Sequence, residues 1–367
     1  MQATCIGVRK SGSAFLSAAI GVVLGAAALW AAGCDGSSSS SSGTGGASGA
    51  AASHTEAAAP KPTVKDRYVI GMVAKSSTNP VYLAARAGAE AAAQEIGKDK
   101  GVQIEIVWRS PTEEDAARQY ELIGELVGAK VDGIAVSCSD PALATPAIDT
   151  AMAAGVQVVT FDADAPQSDR VAFYGIDDGE AGATVFRELA AAMGEGGRVA
   201  ILAGNRAAEN IRSRVVGAGM ELRQHPGMEI VGVFHHDETP EAANAAMIEA
   251  QTKHGPIDGW ALVGGWPLYS PQGLDGVPDS VKIVSMDPLP PALDYAAAGR
   301  VSKFVAQPYF GWGYESVRTL MNLLHDGKKP DLVVRHAPLE VIDPSDADAY
   351  RARWVGWVGT SAINNGG

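Results

Sequence analysis

Cysteine is nearly absent from this sequence, and so is every motif that would use it. Only Cys5, Cys34 and Cys138 occur in 367 residues. The first two fall in a segment with the look of a processed or lipid-modified leader, so the folded part keeps Cys138 alone. That excludes a disulfide framework and CxxC metal spacing there, and Cys138 reads as a small buried residue. Cations are short as well: 29 Lys and Arg face 42 Asp and Glu, for a formal net charge of −13. Phosphate recognition needs concentrated Lys and Arg, which argues against a nucleic-acid partner. There is no GxGxxG after the first strand, no GxxxxGK[ST], no GxSxG and no HExxH. Dinucleotide, P-loop, serine-hydrolase and zinc-peptidase chemistry therefore lack their signatures. His235-His236 beside Asp237 is a poor metal pair, because neighbours on an extended segment point to opposite faces. No metal and no other cofactor is expected.

What is present begins with an address. Arg9 and Lys10 precede a mostly apolar run from Ala14 to Ala32, and small residues lead into Cys34. A positive flank, an apolar core and a small-residue site describe a secretory signal over 1–33. The run is also long enough to be a membrane helix. Residues 34–65 are dominated by Ser, Gly, Ala, Thr and Pro, a composition that cannot bury enough apolar surface to fold. They form a tether whose reach is roughly 5–6 Å times the square root of its length.

From Tyr68 the chain alternates strands and helices, a run of βα units that predicts an α/β fold with mostly parallel sheets. A helix is expected over Thr112 to Val127, with Glu113, Glu114 and Asp115 in its first turn, a solvated start favoured by the helix dipole. Asp140-Pro141 has the N-cap and first-position pattern of a helix running to Ala153. The run from Val156 to Phe161 is apolar and rich in β-branched residues, hence a strand buried on both faces. It stops at Asp162, with Asp164 and Pro166 close behind. A second set of units continues to Leu332–Val334, so two doubly wound lobes of similar size are expected. The tail 344–367, with Trp354 and Trp357, has no assignment.

Polar groups gather at the carboxyl ends of the strands, where open α/β sheets bind ligands. Lys75, Asn79-Pro80 and Tyr82 follow the first strand, Trp108-Arg109 the second, and Asp162 the fourth. The second lobe supplies Asn205, Asn210, Arg212, Arg214, Asp237, Trp266, Asp287 and Gln307. Carboxylates and Arg forks take hydroxyls in charge-assisted bonds, each worth about 1.5–3 kcal/mol when dry. Each residue also has a plainer reading. Asp162 or Asp164 can cap a turn, Asn79 can make the turn before Pro80, and Tyr82, Trp108 and Trp266 can be core aromatics. Asp177 and Asp178 read as hinge and cap residues. Gly264-Gly265 ahead of Trp266 allow close backbone approach, which favours a stacking platform.

The ordered set Lys75…Asn79-Pro80, Phe161-Asp162, Arg214-Val215-Val216-Gly217, Ser285-Met286-Asp287 and Ala306-Gln307-Pro308 resembles the periplasmic sugar-binding proteins of ABC importers. The type is that of ribose-binding proteins and the LacI core, over about three quarters of the chain, roughly Asp66 to Ile342. Trp108 to Pro166 is also similar to the rhamnose and autoinducer-2 binding branch. The resemblance implies two lobes joined by three crossovers near Gly175, Gln307 and Val334. It divides the chain into a first lobe of 66–175 plus 308–333 and a second of 176–307 plus 334–343. Asn79, Asp162, Arg214, Asp287 and Gln307 become ligand contacts, with Lys75, Tyr82 and Trp266 beside them. Trp108, Asp237 and Arg212 are secondary candidates, the last standing in for Arg214 if the register differs. Ala163, where the ribose type has Arg, and Gly265-Trp266, where it has Asn-Asp, point away from ribose itself. The cut before Cys34 is similar to a lipobox, although Ala31 stands where Leu is usual, which implies an acylated, membrane-anchored Cys34. The implied function is sugar capture without chemistry, by a monomer that delivers to an ABC permease and ATPase. A receptor signalling to a chemoreceptor or kinase is the alternative.

Overall fold

A computed structural model of the protein describes residues 64–359. The expected leader, Cys34 and nearly all of the tether lie outside the described residues. The first lobe runs β1 (Arg67–Val73), α1 (Val81–Lys100), β2 (Gln103–Arg109), α2 (Ala116–Gly128), β3 (Gly133–Val136), α3 (Pro141–Ala153), β4 (Gln157–Phe161) and β5 (Ala172–Gly175). The second runs α4 (Asp178–Met193), β6 (Gly196–Ala203), α5 (Glu209–Glu221), β7 (Gly227–His235), α6 (Pro240–His254) and β8 (Gly259–Leu262). It continues with β9 (Lys282–Met286), α7 (Pro290–Ala297) and β10 (Lys303–Ala306). The chain then makes α8 (Tyr309–Leu324), β11 (Val334–His336), β12 (Glu340–Ile342) and α9 (Ala347–Val358).

The strands form two six-stranded sheets, ordered β11-β5-β4-β3-β1-β2 and β12-β10-β9-β8-β6-β7. Every pairing is parallel except β10 with β12. Central strands such as β3 and β8 are buried along their whole length, which is why they read as continuous apolar runs. Three crossovers join the lobes. The chain leaves the first sheet after β5, returns after β10 so that α8 packs on α1, and leaves again after β11.

The third crossover falls later than the sequence suggests. Leu332 and Val333 are exposed, and Val334–His336 pair with Phe173–Gly175 of the first sheet. Residues 334–336 therefore sit in the first sheet, and the chain changes sheets at 337–339. The cause is register: Phe173 donates to the Val333 carbonyl at 2.7 Å, which anchors the ladder just before the strand begins.

Helix caps follow local chemistry. Asp140 accepts from the Ala142 amide at 2.8 Å with Pro141 behind it, as expected. The second helix departs from expectation. Asp115 is its N-cap, accepting from the Arg118 amide at 2.9 Å, so α2 starts at Ala116 and Glu113 and Glu114 precede it. In the tail, α9 packs against α1 of the first lobe and α7 of the second.

Candidate functional site

Asp162 and Asp287 occupy matching places, one residue past β4 and one past β9. Both have left-handed backbones, with φ of 59° and 62°. A non-glycine residue held there stores about 1–3 kcal/mol of strain, and such strain clusters at functional sites. The turn places each carboxylate at the carboxyl end of its sheet, near enough to Arg214 for both to act on its charge.

In the first lobe, Asp162 Oδ2 accepts from the Tyr82 hydroxyl at 3.0 Å and the Ser137 hydroxyl at 2.6 Å. Both bonds fall on one oxygen, which leaves Oδ1 for another donor. Lys75 is buried beside them, and its Nζ donates to Asn210 Oδ1 of the second lobe at 3.2 Å. Burial alone would pull its pKa down. The carboxylates of Glu114, Asp162 and Glu238 outweigh that and hold it above the ordinary lysine value, so it stays charged.

In the second lobe, Arg214 is held by three acceptors: Asp178 Oδ1 at 2.8 Å, the Val263 carbonyl at 3.1 Å and Gln307 Oε1 at 2.9 Å. Burial works against its charge, but Asp178, Asp287 and Asp162 raise its pKa. Gln307 passes the chain of bonds on, donating to Asp287 Oδ1 at 2.8 Å. Asp287 also accepts from Tyr309 at 2.8 Å, from the Gly265 amide at 3.1 Å and from Tyr269 at 3.3 Å. Its four acceptor positions are thus filled by the protein, and it acts as a keystone under the site as much as an open contact.

The structure brings together Lys75, Tyr82, Asp162, Arg214, Asp287 and Gln307. Asn79 stands at the rim, where its Oδ1 accepts from the Val81 amide at 3.2 Å, the turn chemistry that its place before Pro80 allows. Asp237 is exposed on the opposite rim. Arg212 folds back along α5 onto the Arg206 and Ala207 carbonyls and Glu209, away from the cluster. Trp108 packs from the edge strand onto the hydrophobic core.

Trp266 corrects the expectation of a stacking platform. It is buried in the core and meets His236 edge-on at 5.0 Å. A methyl group on Gly264 would come within 2.3 Å of the indole, so that glycine makes room for the tryptophan rather than for a ligand. Asp164 is a structural knot, accepting from Thr160, the Ala165 amide and buried Arg170.

Sequence reasoning places Ser137 among the strand-end polar groups without a role, and it misses Asp178, Tyr269, Tyr309, Glu114 and Glu238. Asp178 carries only a hinge-and-cap expectation in the sequence. It pairs with Arg214, and its carboxyl is pushed up to about 6, burial exceeding the opposing pull of Arg214. Glu114 reaches between the lobes to accept from Asn205 Nδ2 at 3.0 Å. Burial opposes its charge, but Lys75 and hydrogen bonds hold its pKa below the ordinary value. Glu238 accepts from the Asn205 amide at 3.0 Å, and burial, with Glu114 opposite, pushes it up to about 8. The Lys75–Asn210 and Glu114–Asn205 bonds hold the lobes together. A cleft of about 1000 Å³ opens on the outer side, lined by Ser76, Asn79, Glu114, Asn205, His236 and Glu238.

Two doubly wound lobes, three crossovers and a polar cluster fed by the strand ends of both define a hinged, two-lobed binding protein. The chain belongs to the periplasmic binding protein domain family, whose model matches residues 70–329. It is 28% identical over 150 residues to the ribose import binding protein RbsB of Bacillus subtilis (strain 168), a match covering 41% of this chain and 47% of that protein. The chain thus spans about half the length of that curated relative. A Burkholderia graminis ABC-transporter solute-binding protein in complex with D-arabinose shares the fold, with TM-score 0.73, 22% identity and coverage of 78% and 99% of the two chains. So does GanP, a glucose-galactose binding protein from Geobacillus stearothermophilus, with TM-score 0.69, 26% identity and coverage of 77% and 99%.

Proposed function

We propose that this protein is an extracytoplasmic receptor that captures a small neutral sugar between its lobes and delivers it to an ABC importer. The observation that carries the reading is the pair of left-handed strand-end aspartates, one from each lobe, with Lys75 and Arg214 between them. Asp162 has Oδ1 left to accept from a sugar hydroxyl while Lys75 and Arg214 donate, Asp287 fixes the second-lobe groups around it, and the rings of buried Tyr82 and Tyr309 and half-buried Tyr269 carry hydroxyls onto the two carboxylates. The sugars named for the relatives agree with this chemistry. Polar groups of the two lobes bond to one another at this boundary, as Lys75 does to Asn210, and a sugar hydroxyl can take the place of either partner. Closure then follows from differential affinity for the shut form. The leader and tether support anchoring through an acylated Cys34, which would keep the receptor beside its permease.

A thermal-shift screen of pentoses, hexoses, deoxy-sugars and autoinducer-2 tests the reading. A ligand at a hundred times its Kd stabilises the fold by about 2.7 kcal/mol. No shift with any of them would remove the sugar assignment.

A further inference from the structure

Between α8 and the β4-β5-β11 edge of the first sheet lies a cavity of about 250 Å³, apart from the interlobe cleft. Its floor is apolar, made by Val159 of β4 with Ala172 and Phe173 of β5, all buried. α8 contributes Thr319 and Asn322, and exposed Leu332 closes the set from the segment before β11. Four cations share this lining: Arg318 of α8, Lys328 and Lys329 of the following loop, and Arg335 of β11. Such a gathering runs against the average of a chain with net charge −13. Arg318 and Arg335 converge on the Glu315 carboxylate, and Arg335 lies over the Tyr174 ring at 4.5 Å, so both guanidiniums are fixed. Lys328 and Lys329 make no ion pair among the described residues, and Asp326 on the same loop is taken by Lys100 at 2.7 Å. Glu315 and Asp331 answer two of the four charges, which leaves two in excess over an apolar floor.

We propose that this cavity binds a small organic anion, an acid group carried on an apolar body. The acid group meets Lys328 and Lys329, whose ammoniums are point charges on flexible stems, with the Asn322 amide as a neutral donor. The apolar body lies on Val159, Ala172 and Phe173, and excluding water from that floor strengthens the attraction above it. A neutral sugar leaves the ammoniums unanswered, and a bare inorganic ion leaves the floor uncovered. The cavity is a little smaller than the roughly 300–1,000 Å³ of ordinary small-molecule sites, which limits the ligand to about one ring and its acid. All of the lining belongs to the first lobe, so the site forms without the second and does not rest on the sugar reading.

Titration calorimetry of the full chain with benzoate, phenyl phosphate, inorganic phosphate and benzyl alcohol tests this. At least one of the two aromatic acids should saturate a single site, and the tighter of them tells carboxylate from phosphate as the preferred head group. Its affinity should fall as salt rises from about 0.05 to 0.3 M, since the lysines are exposed and screened. Inorganic phosphate and benzyl alcohol each carry half of the required chemistry and should bind at least about tenfold more weakly, the equivalent of one charge-assisted bond. The double variant Lys328→Gln/Lys329→Gln lies outside the sugar cluster and should lose at least about tenfold in aromatic-acid affinity with an unchanged melting temperature. Thr319→Trp fills the cavity from α8 without removing a charge and should abolish binding. The site is overturned if neither aromatic acid saturates the parent chain, or if benzyl alcohol or inorganic phosphate binds as tightly as they do. Binding that survives in either variant also overturns it, because the anion then sits elsewhere, at Lys75 or Arg214 for instance.

Discussion

Arg214 spends its guanidinium on three fixed acceptors from different segments, Asp178, Val263 and Gln307. A lysine offers a point charge and cannot hold that fork. Arg214→Lys is expected to weaken sugar binding by about 1–3 kcal/mol, and Arg214→Ala by more, since buried acceptors are then left unpaired. Titration calorimetry checks this, and parental affinity in Arg214→Ala would remove the residue from the site. A second prediction concerns His225, bonded to Glu195 and Glu221. Burial would lower its pKa, but the two carboxylates raise it above 6.5. Its stabilisation is therefore complete below that value and fades as pH rises through the raised one. The melting temperature of His225→Gln should fall less than that of the parent as pH rises from about 6 to 8. Asp162, Arg214 and Asp287 were legible because each directly follows a strand or carries a family motif. Glu114 was not. Three consecutive acids look like the first turn of a helix, and only the side-chain cap at Asp115 shows that the helix starts later and frees Glu114.

At the scale of elements, each lobe brings two helices to backbone contact through facing glycines. A methyl group on Gly88 would lie 1.9 Å from the Phe310 carbonyl, and one on Gly313 would lie 1.8 Å from that of Ala85, where α1 crosses α8. In the second lobe α4 crosses α5 in the same way: a methyl group on Gly182 would lie 1.8 Å from the Arg214 carbonyl, and one on Gly217 would lie 1.9 Å from that of Gly179. The glycine in Arg214-Val215-Val216-Gly217 is thus a packing residue that sets how deeply Arg214 is seated. Gly182→Ala should cost at least the 1–3 kcal/mol typical of overpacking, roughly, and should also weaken ligand binding by moving Arg214. Gly219→Ala on the same helix meets nothing within 4 Å and should be neutral or stabilising. Urea melts with parallel calorimetry separate the two, and a Gly182→Ala protein with parental stability would contradict the crossing. The alternation of βα units was readable because period and caps are local. Helix crossings depend on partners more than 200 residues apart for α1 and α8, and nothing in a single sequence pairs those glycines.

The whole molecule has a connection that its βα pattern did not announce. α9 lies across both lobes, with Trp354 on Tyr309 at 5.4 Å, Trp357 stacked on Phe310 at 5.9 Å, and Arg351 bonded to Asp294 of α7 at 2.6 Å. Tyr309 in turn donates to Asp287. The tail therefore touches both lobes and, through Tyr309, backs the keystone of the site, by rings whose packing permits little slack. Opening the lobes about their crossovers must slide or bend this strap, so α9 should oppose opening as well as add buried area. Trp354 is 2% exposed, and Trp354→Ala is expected to cost about 3–5 kcal/mol in stability. Stability alone does not distinguish a strap from a patch of core. Kinetics do: removing residues 343–367 should speed sugar release measured by stopped-flow, because the lobes part with less resistance, while the association rate changes little. A truncated protein that melts earlier but releases ligand at the parental rate would show that α9 only covers Tyr309 and Phe310, and that the three crossovers alone govern the hinge.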